Sequence, residues 1–141
     1  MQLTFYISAG QLVYSDAGKT FGIPASSGYG NCMNELRCTH LKNVGPIPKG
    51  RYFLLSQEFS DPHLLRDIMR NLKADWGDWR VRLYPYPEIA THGRDDFFLH
   101  CGTQKGSKGC IDVGGGILGN KSTDHLKDAL LRSAKSDLLV V

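Results

Sequence analysis

His100 and Cys110 stand ten positions apart in the stretch FFLHCGTQKGSKGCID, Phe97 to Asp112, and their types and spacing suit thiol nucleophilic catalysis. An imidazole takes the proton, and the thiolate attacks a carbonyl carbon. Phe97, Phe98 and Leu99 form a short apolar run that reads as a buried strand with His100 at its end. A polar, glycine-rich loop from Gly102 to Gly109 follows, and Cys110 comes straight after it. Glycines at 106 and 109 suit a sharply bent backbone with inward-pointing amides. The amides of Gly109 and Cys110 are positioned by this reading to hold an oxyanion. A free thiol with a pKa of ~8.5 is only slightly ionised at neutral pH, so Cys110 needs His100 either as general base or as the imidazolium of an ion pair.

The elements that must carry these residues read mainly as strands. Leu3, Phe5 and Ile7 alternate with polar partners, Ser8-Ala9-Gly10 turns, and Gln11 to Tyr14 returns as a hairpin. Lys19 to Ala25 forms a third short strand, and Ser26 to Asn34 is a loop by its turn residues. Pro46 and Pro48 rigidify the approach to a strand over Arg51 to Leu55. Asp61 and Pro62 then start a helix predicted over 62–73, with Leu64, Leu65, Ile68, Met69 and Leu72 on one face. Arg80 to Tyr84 alternates as a strand with its arginines outward. Gly114 to Gly116 permits a reversal, Ser122 or Thr123 caps a final helix, and Leu138 to Val141 is a terminal strand. Residues 1–141 thus make a single domain, mainly β with two helices. At this size about 70% of the unfolded surface can be buried.

The motifs also carry a family resemblance. The order FFLHCG…SKGCI, with Gly45-Pro46-Ile47-Pro48-Lys49-Gly50-Arg51-Tyr52 upstream, resembles the L,D-transpeptidase catalytic domain of YkuD type. Thr91, Gly93, Arg94 and Phe98 fit the lead-in to the histidine in a compact subgroup that resembles effectors of type VI secretion. The resemblance spans Tyr6 to about Leu130. It implies a β-sandwich or barrel and a Cys110 thioester formed on a tetrapeptide stem of peptidoglycan with loss of D-alanine. Water then gives a carboxypeptidase product and a free D-amino acid gives exchange, both of which suit a compact domain better than cross-linking. It implies catalytic roles for Cys110, His100, Ser107 and Gly109. It assigns substrate contacts to Gly102, Arg94, Ser27 and Gly28, the last two in the groove-wall loop. Ser107, three residues before the cysteine, either steadies the loop or bonds the imidazole.

Two positions depart from the family pattern. Asp112 stands where many members carry arginine, so Arg94 or Lys108 becomes the expected grip on a substrate carboxylate. Cys101 replaces the glycine after the histidine, and alternation puts it opposite His100 as a small hydrophobe. His92-Gly93 is the rival base; its polar loop supports the ring less firmly than the strand under His100.

Composition narrows the partners. The chain is 41% hydrophobic and 22% charged with net charge +3, and no basic stripe with interleaved aromatics argues for nucleic acid. Nor is there a long apolar run that would span a membrane. Met1 to Ile7 alternates without a basic leader, so the expectation is synthesis in the bacterial cytoplasm without a signal peptide. The resemblance implies action in the periplasm of a target cell, with secretion machinery and a cognate immunity protein as partners. Cys32 and Cys38 bracket a short loop and suit a disulfide in an oxidising compartment. With His40 they are a weak match to zinc spacing, and no metal or other cofactor is expected. The alternative from another class is a non-catalytic binder of wall peptides or of a protein partner on the same scaffold.

Overall fold

A computed structural model describes residues 1–60, 77–103 and 106–141. Its strands are β1 (Gln2–Tyr6), β2 (Gln11–Asp16), β3 (Lys19–Pro24), β4 (Gly50–Leu55), β5 (Arg80–Pro85), β6 (Phe97–His100), β7 (Ile111–Asp112) and β8 (Lys135–Val140). One helix, α1 (Lys121–Leu131), lies among the described residues. The predicted helix over 62–73 and the candidate surface residue His63 fall outside them.

Alternation explains the strands. Leu3 and Phe5, Leu12 and Tyr14, Tyr52 and Leu54, Val81 and Leu83, Phe97 and Leu99, and Leu138 and Val140 are all buried, while their neighbours are less so. The β2–β3 hairpin turns at Ala17 and Gly18, with φ of 48° and 76°, as a tight two-residue turn requires.

The eight strands form one sheet in the order β3-β2-β1-β8-β4-β5-β6-β7. The C-terminal strand is therefore central: β8 runs parallel to β1 and antiparallel to β4. The sheet curls until its outer members meet. Just beyond β3, Ser26 bridges Asp112 of β7, and the two exchange N–H···O bonds of 2.8 Å each. This closure gives the barrel-like form expected from the sequence.

Helix α1 covers the core with Leu126, Ala129 and Leu130. Its cap is Asn120 rather than Ser122 or Thr123. The Asn120 side chain accepts from both of their amides, while the Thr123 hydroxyl accepts from the Asn120 amide. An amide side chain one residue before the helix satisfies two orphan N–H groups, which leaves Thr123 for the reciprocal half of a capping box.

Candidate active site

Strands β6 and β7 are short and parallel, with Leu99 opposite Ile111 and His100 opposite Asp112. Leu99 and Ile111 enter the core; His100 and Asp112 share the other face, continued by Arg80 across from His100 on β5. One step back along the pair, Cys110 comes level with Phe98, whose backbone also lowers the thiol's pKa. Cys110 is thus a diagonal neighbour of His100, roughly 8 Å away between Cα atoms by ordinary strand spacing. The parallel pairing thus sets two residues ten apart in sequence side by side, His100 at the end of β6 and Cys110 just before β7.

His100 is buried, and its Nδ1 lies 3.1 Å from the Cys101 carbonyl. A carbonyl only accepts, so Nδ1 carries the hydrogen and Nε2 of the neutral ring keeps its lone pair. The rival, His92, sits in an exposed turn at φ 55° with its ring edge-on to His40, centroids 6.4 Å apart.

Cys110 is half-buried, with Sγ 3.7 Å from the Asp96 carbonyl. Its thiol is pushed up to about 11 by burial, with Asp96 adding to the rise; the Phe98 backbone and the Arg80 and Arg94 charges oppose it. Gly106 and Gly109 adopt φ of 98° and 109°, the left-handed backbone that the bent loop demands. Of the two roles open to Ser107, its hydroxyl takes the first: it donates to the Cys110 carbonyl, closing the loop on itself.

The loop is braced from the N-terminal half. The Ser107 amide donates to the Gly28 carbonyl at 2.7 Å, and the Gly106 amide to the Ser26 hydroxyl at 3.2 Å. Gly28, at φ 90°, is pressed so closely onto the Cys32 carbonyl and Pro46 that no side chain would fit.

Two expected substrate contacts are placed differently. Ser27 is fully buried; its hydroxyl accepts from the Ile47 amide and its backbone pairs with Asn34, so it pins the loop instead of lining a groove. Arg94 is buried too. Its guanidinium donates to the carbonyls of Thr39, Pro46 and Gly45 at 2.6–2.8 Å, which ties it to the backbone instead of leaving it exposed in a groove. Lys108 remains exposed.

A cleft of about 550 Å³ reaches Asp112, the residue opposite His100, though neither His100 nor Cys110 is among the residues that line it. Ser26, Met33 and Asn34 line one wall; Gly102, Thr103, Asp112 and Gly114 to Gly116 line the other. Gly102 therefore does stand in the cleft, packed so tightly on the Asp112 carboxylate that a Cβ would collide with it. Asp112 also accepts from the Gly114 amide at 2.7 Å. Ser26 and Asn34 belong to the loop read from sequence as a groove wall, whereas Asp112 was noted only as a departure from the family arginine.

Cys32 and Cys38 form a disulfide, so neither is available as a thiolate ligand. Among the described residues no group of three His, Cys, Asp or Glu side chains is arranged to hold a metal, and no helix is long and apolar enough to cross a membrane. Cys101 is buried in the core as expected.

Comparison with known proteins agrees with this geometry. The profile of the Tlde1 domain matches residues 22–135. No curated protein matches. Among solved structures, Mycobacterium tuberculosis L,D-transpeptidase 1 is similar over 99% of this chain, with a TM-score of 0.52 and 20% identity. The imipenem complex of the L,D-transpeptidase LdtMt1 is similar over the same share, at 0.52 and 18%. The chain spans 60% and 58% of those two proteins, and at such identity the likeness establishes the fold.

Proposed function

From the premise that this chain belongs to the Tlde1 domain family, on a fold like that of L,D-transpeptidases, we propose that it is a peptidoglycan-modifying effector that uses Cys110 as its nucleophile. The observation that carries the reading is the parallel β6–β7 pairing, which brings Cys110, one residue before β7, alongside the strand that ends at His100, with a cleft lined by Asp112, the residue opposite His100.

In the resting enzyme the sulfur is a thiol. Burial pushes its pKa up to about 11, well above neutral pH. That supports general-base action by His100 over a standing ion pair. As Sγ bonds to the carbonyl carbon of a tetrapeptide stem, its proton passes to Nε2 of His100. The carbonyl oxygen becomes an oxyanion held by the amides of Gly109 and Cys110. The C–N bond then breaks, the imidazolium returns its proton to the leaving D-alanine amine, and a thioester remains. Water attacking the thioester releases a shortened stem and restores the thiol; a free D-amino acid instead forms a new amide. Delivery into a target cell's periplasm, and neutralisation by an immunity protein in the producer, belong to this reading.

The test is mass spectrometry of tetrapeptide muropeptides incubated with wild type and Cys110→Ala, with and without a free D-amino acid. Loss of terminal D-alanine, or its replacement, in wild type alone is the expected result. Unchanged muropeptides from folded wild type would defeat the reading and leave the scaffold as a binder of wall peptides.

A further inference from the structure

Arg94 lies in the loop before β6, only 5% exposed, and its partners are neutral: three backbone carbonyls and the Phe97 ring, 5.7 Å from the guanidinium carbon. A buried cation without a carboxylate is costly unless it serves an anion that forms later. Two groups beside it can become one, the Tyr52 phenol, which burial holds in its protonated form to higher pH, and the Cys110 thiol. The guanidinium packs directly on the backbone of Gly109, so closely that a Cβ there would collide with Nη2.

We propose that Arg94 is a positioning residue for Cys110: clamped by the Thr39, Gly45 and Pro46 carbonyls, its guanidinium backs the Gly109 turn and holds a positive charge behind the sulfur and the oxyanion-binding amides. This rests on Cys110 being the nucleophile, as proposed above. Carbonyls tie the guanidinium down, and Gly109 packs against its Nη2. The left-handed turn at Gly109, at φ 109°, is therefore seated on a fixed platform and not on solvent. The electrostatics are mutual. Burial lowers the pKa of Arg94, while Tyr52 and Cys110 raise it, and the Arg94 charge in turn lowers that of Cys110.

The experiment follows the rate of Cys110 alkylation by iodoacetamide from pH 7 to 10.5, together with muropeptide turnover. The alkylation arm reads one thiol, because Cys101 is buried and the other two cysteines are bonded to each other. It needs no substrate, so a wild type that turns over nothing would sink the functional reading and leave this one measurable. In folded Arg94→Gln the alkylation rate at pH 8 is expected to drop about fivefold, the whole profile moving toward higher pH. An unmoved profile overturns the proposal even where turnover falls, since a plain strut would behave that way. Should Arg94→Gln fail to fold, Arg94→Lys keeps the charge but loses the fork. Its profile should stay near wild type while kcat falls about tenfold at little change in KM. Wild-type kcat in Arg94→Lys overturns the proposal.

Discussion

Ser26 and Asp112 exchange two backbone hydrogen bonds of 2.8 Å and thereby close the curled sheet at the site itself. Ser26 also accepts from Gly106 through its hydroxyl, and Asp112 sits opposite His100. The seam of the barrel and the wall of the cleft are the same residues. Any change that opens the seam should therefore reach His100 and Cys110.

Gly102→Ala is the sharpest probe of that coupling. The added methyl would meet the Asp112 carboxylate, which the Gly114 amide holds from the other side. Overpacking of this kind costs about 1–3 kcal/mol, so the denaturant midpoint should fall at constant m-value. Muropeptide turnover should fall further than the loss of folded protein explains, because the displaced carboxylate shares a row with His100. Wild-type turnover in a destabilised Gly102→Ala would show that seam and site are independent.

The two histidine candidates give opposite expectations. His100→Ala removes a buried ring whose Nδ1–H is fixed by the Cys101 carbonyl, and turnover should drop by a factor of about 10²–10⁴. His92→Ala removes an exposed ring in a turn and should leave most of the rate. Paired kinetics on the two variants decide it, and a reversed order would reassign the base to His92.

Much of this was legible in the chain, and what was not has a physical reason. Period-two alternation marked the strands through Phe5, Leu54, Val81 and Leu99, because each buries one face. The position of β8 was hidden, since its pairing with β1 joins the two ends of the chain and leaves no local signal. Arg94 read as a substrate grip, with Lys108 as the other choice, because Asp112 stands where the family carries arginine and another cation was needed. Its partners are carbonyls 48 to 55 residues earlier, and carbonyl direction is not encoded in residue type. The cap at Asn120 lost out to Ser122 and Thr123 because all three residues cap well. The Cys110 neighbourhood was readable because a strand, a glycine loop and a second strand can fold back in only a few ways.

Stability should decline in alkali before that of an ordinary domain. The buried Cys101 thiol is raised to about 12 from 9.0, chiefly by burial. The native state thus keeps a proton that the unfolded chain loses. Its contribution is complete below pH 9 and is lost as pH climbs toward 12. Tyr52, raised from 10.0 mainly by burial, acts with the same sign above pH 10. Unfolding free energy followed from pH 8 to 10.5 should therefore fall, and fall less steeply in Cys101→Ala. Equal slopes in the two proteins would contradict the shift assigned to Cys101.

Reducing agents should lower the proposed activity, the reverse of the usual response where a cysteine is the nucleophile. The Cys32–Cys38 bond closes a loop of sequence separation six. In the chain-entropy view such a loop stabilises by about 2 kcal/mol. The loop and the residues flanking it supply the supports of the site. Cys32 offers its carbonyl surface to Gly28, Gly28 accepts from Ser107, and Thr39 and Gly45 clamp Arg94. Reduction frees that segment without touching the Cys110 sulfur, so two effects of opposite sign compete. Where Cys110 is protected from oxidation throughout, only the loosening remains. Dithiothreitol, or the double variant Cys32→Ser/Cys38→Ser, should then lower both the thermal midpoint and the turnover rate. The double variant should also become insensitive to reductant. Full activity in the folded double variant would mean that the brace on Gly28 and Arg94 holds without the bond.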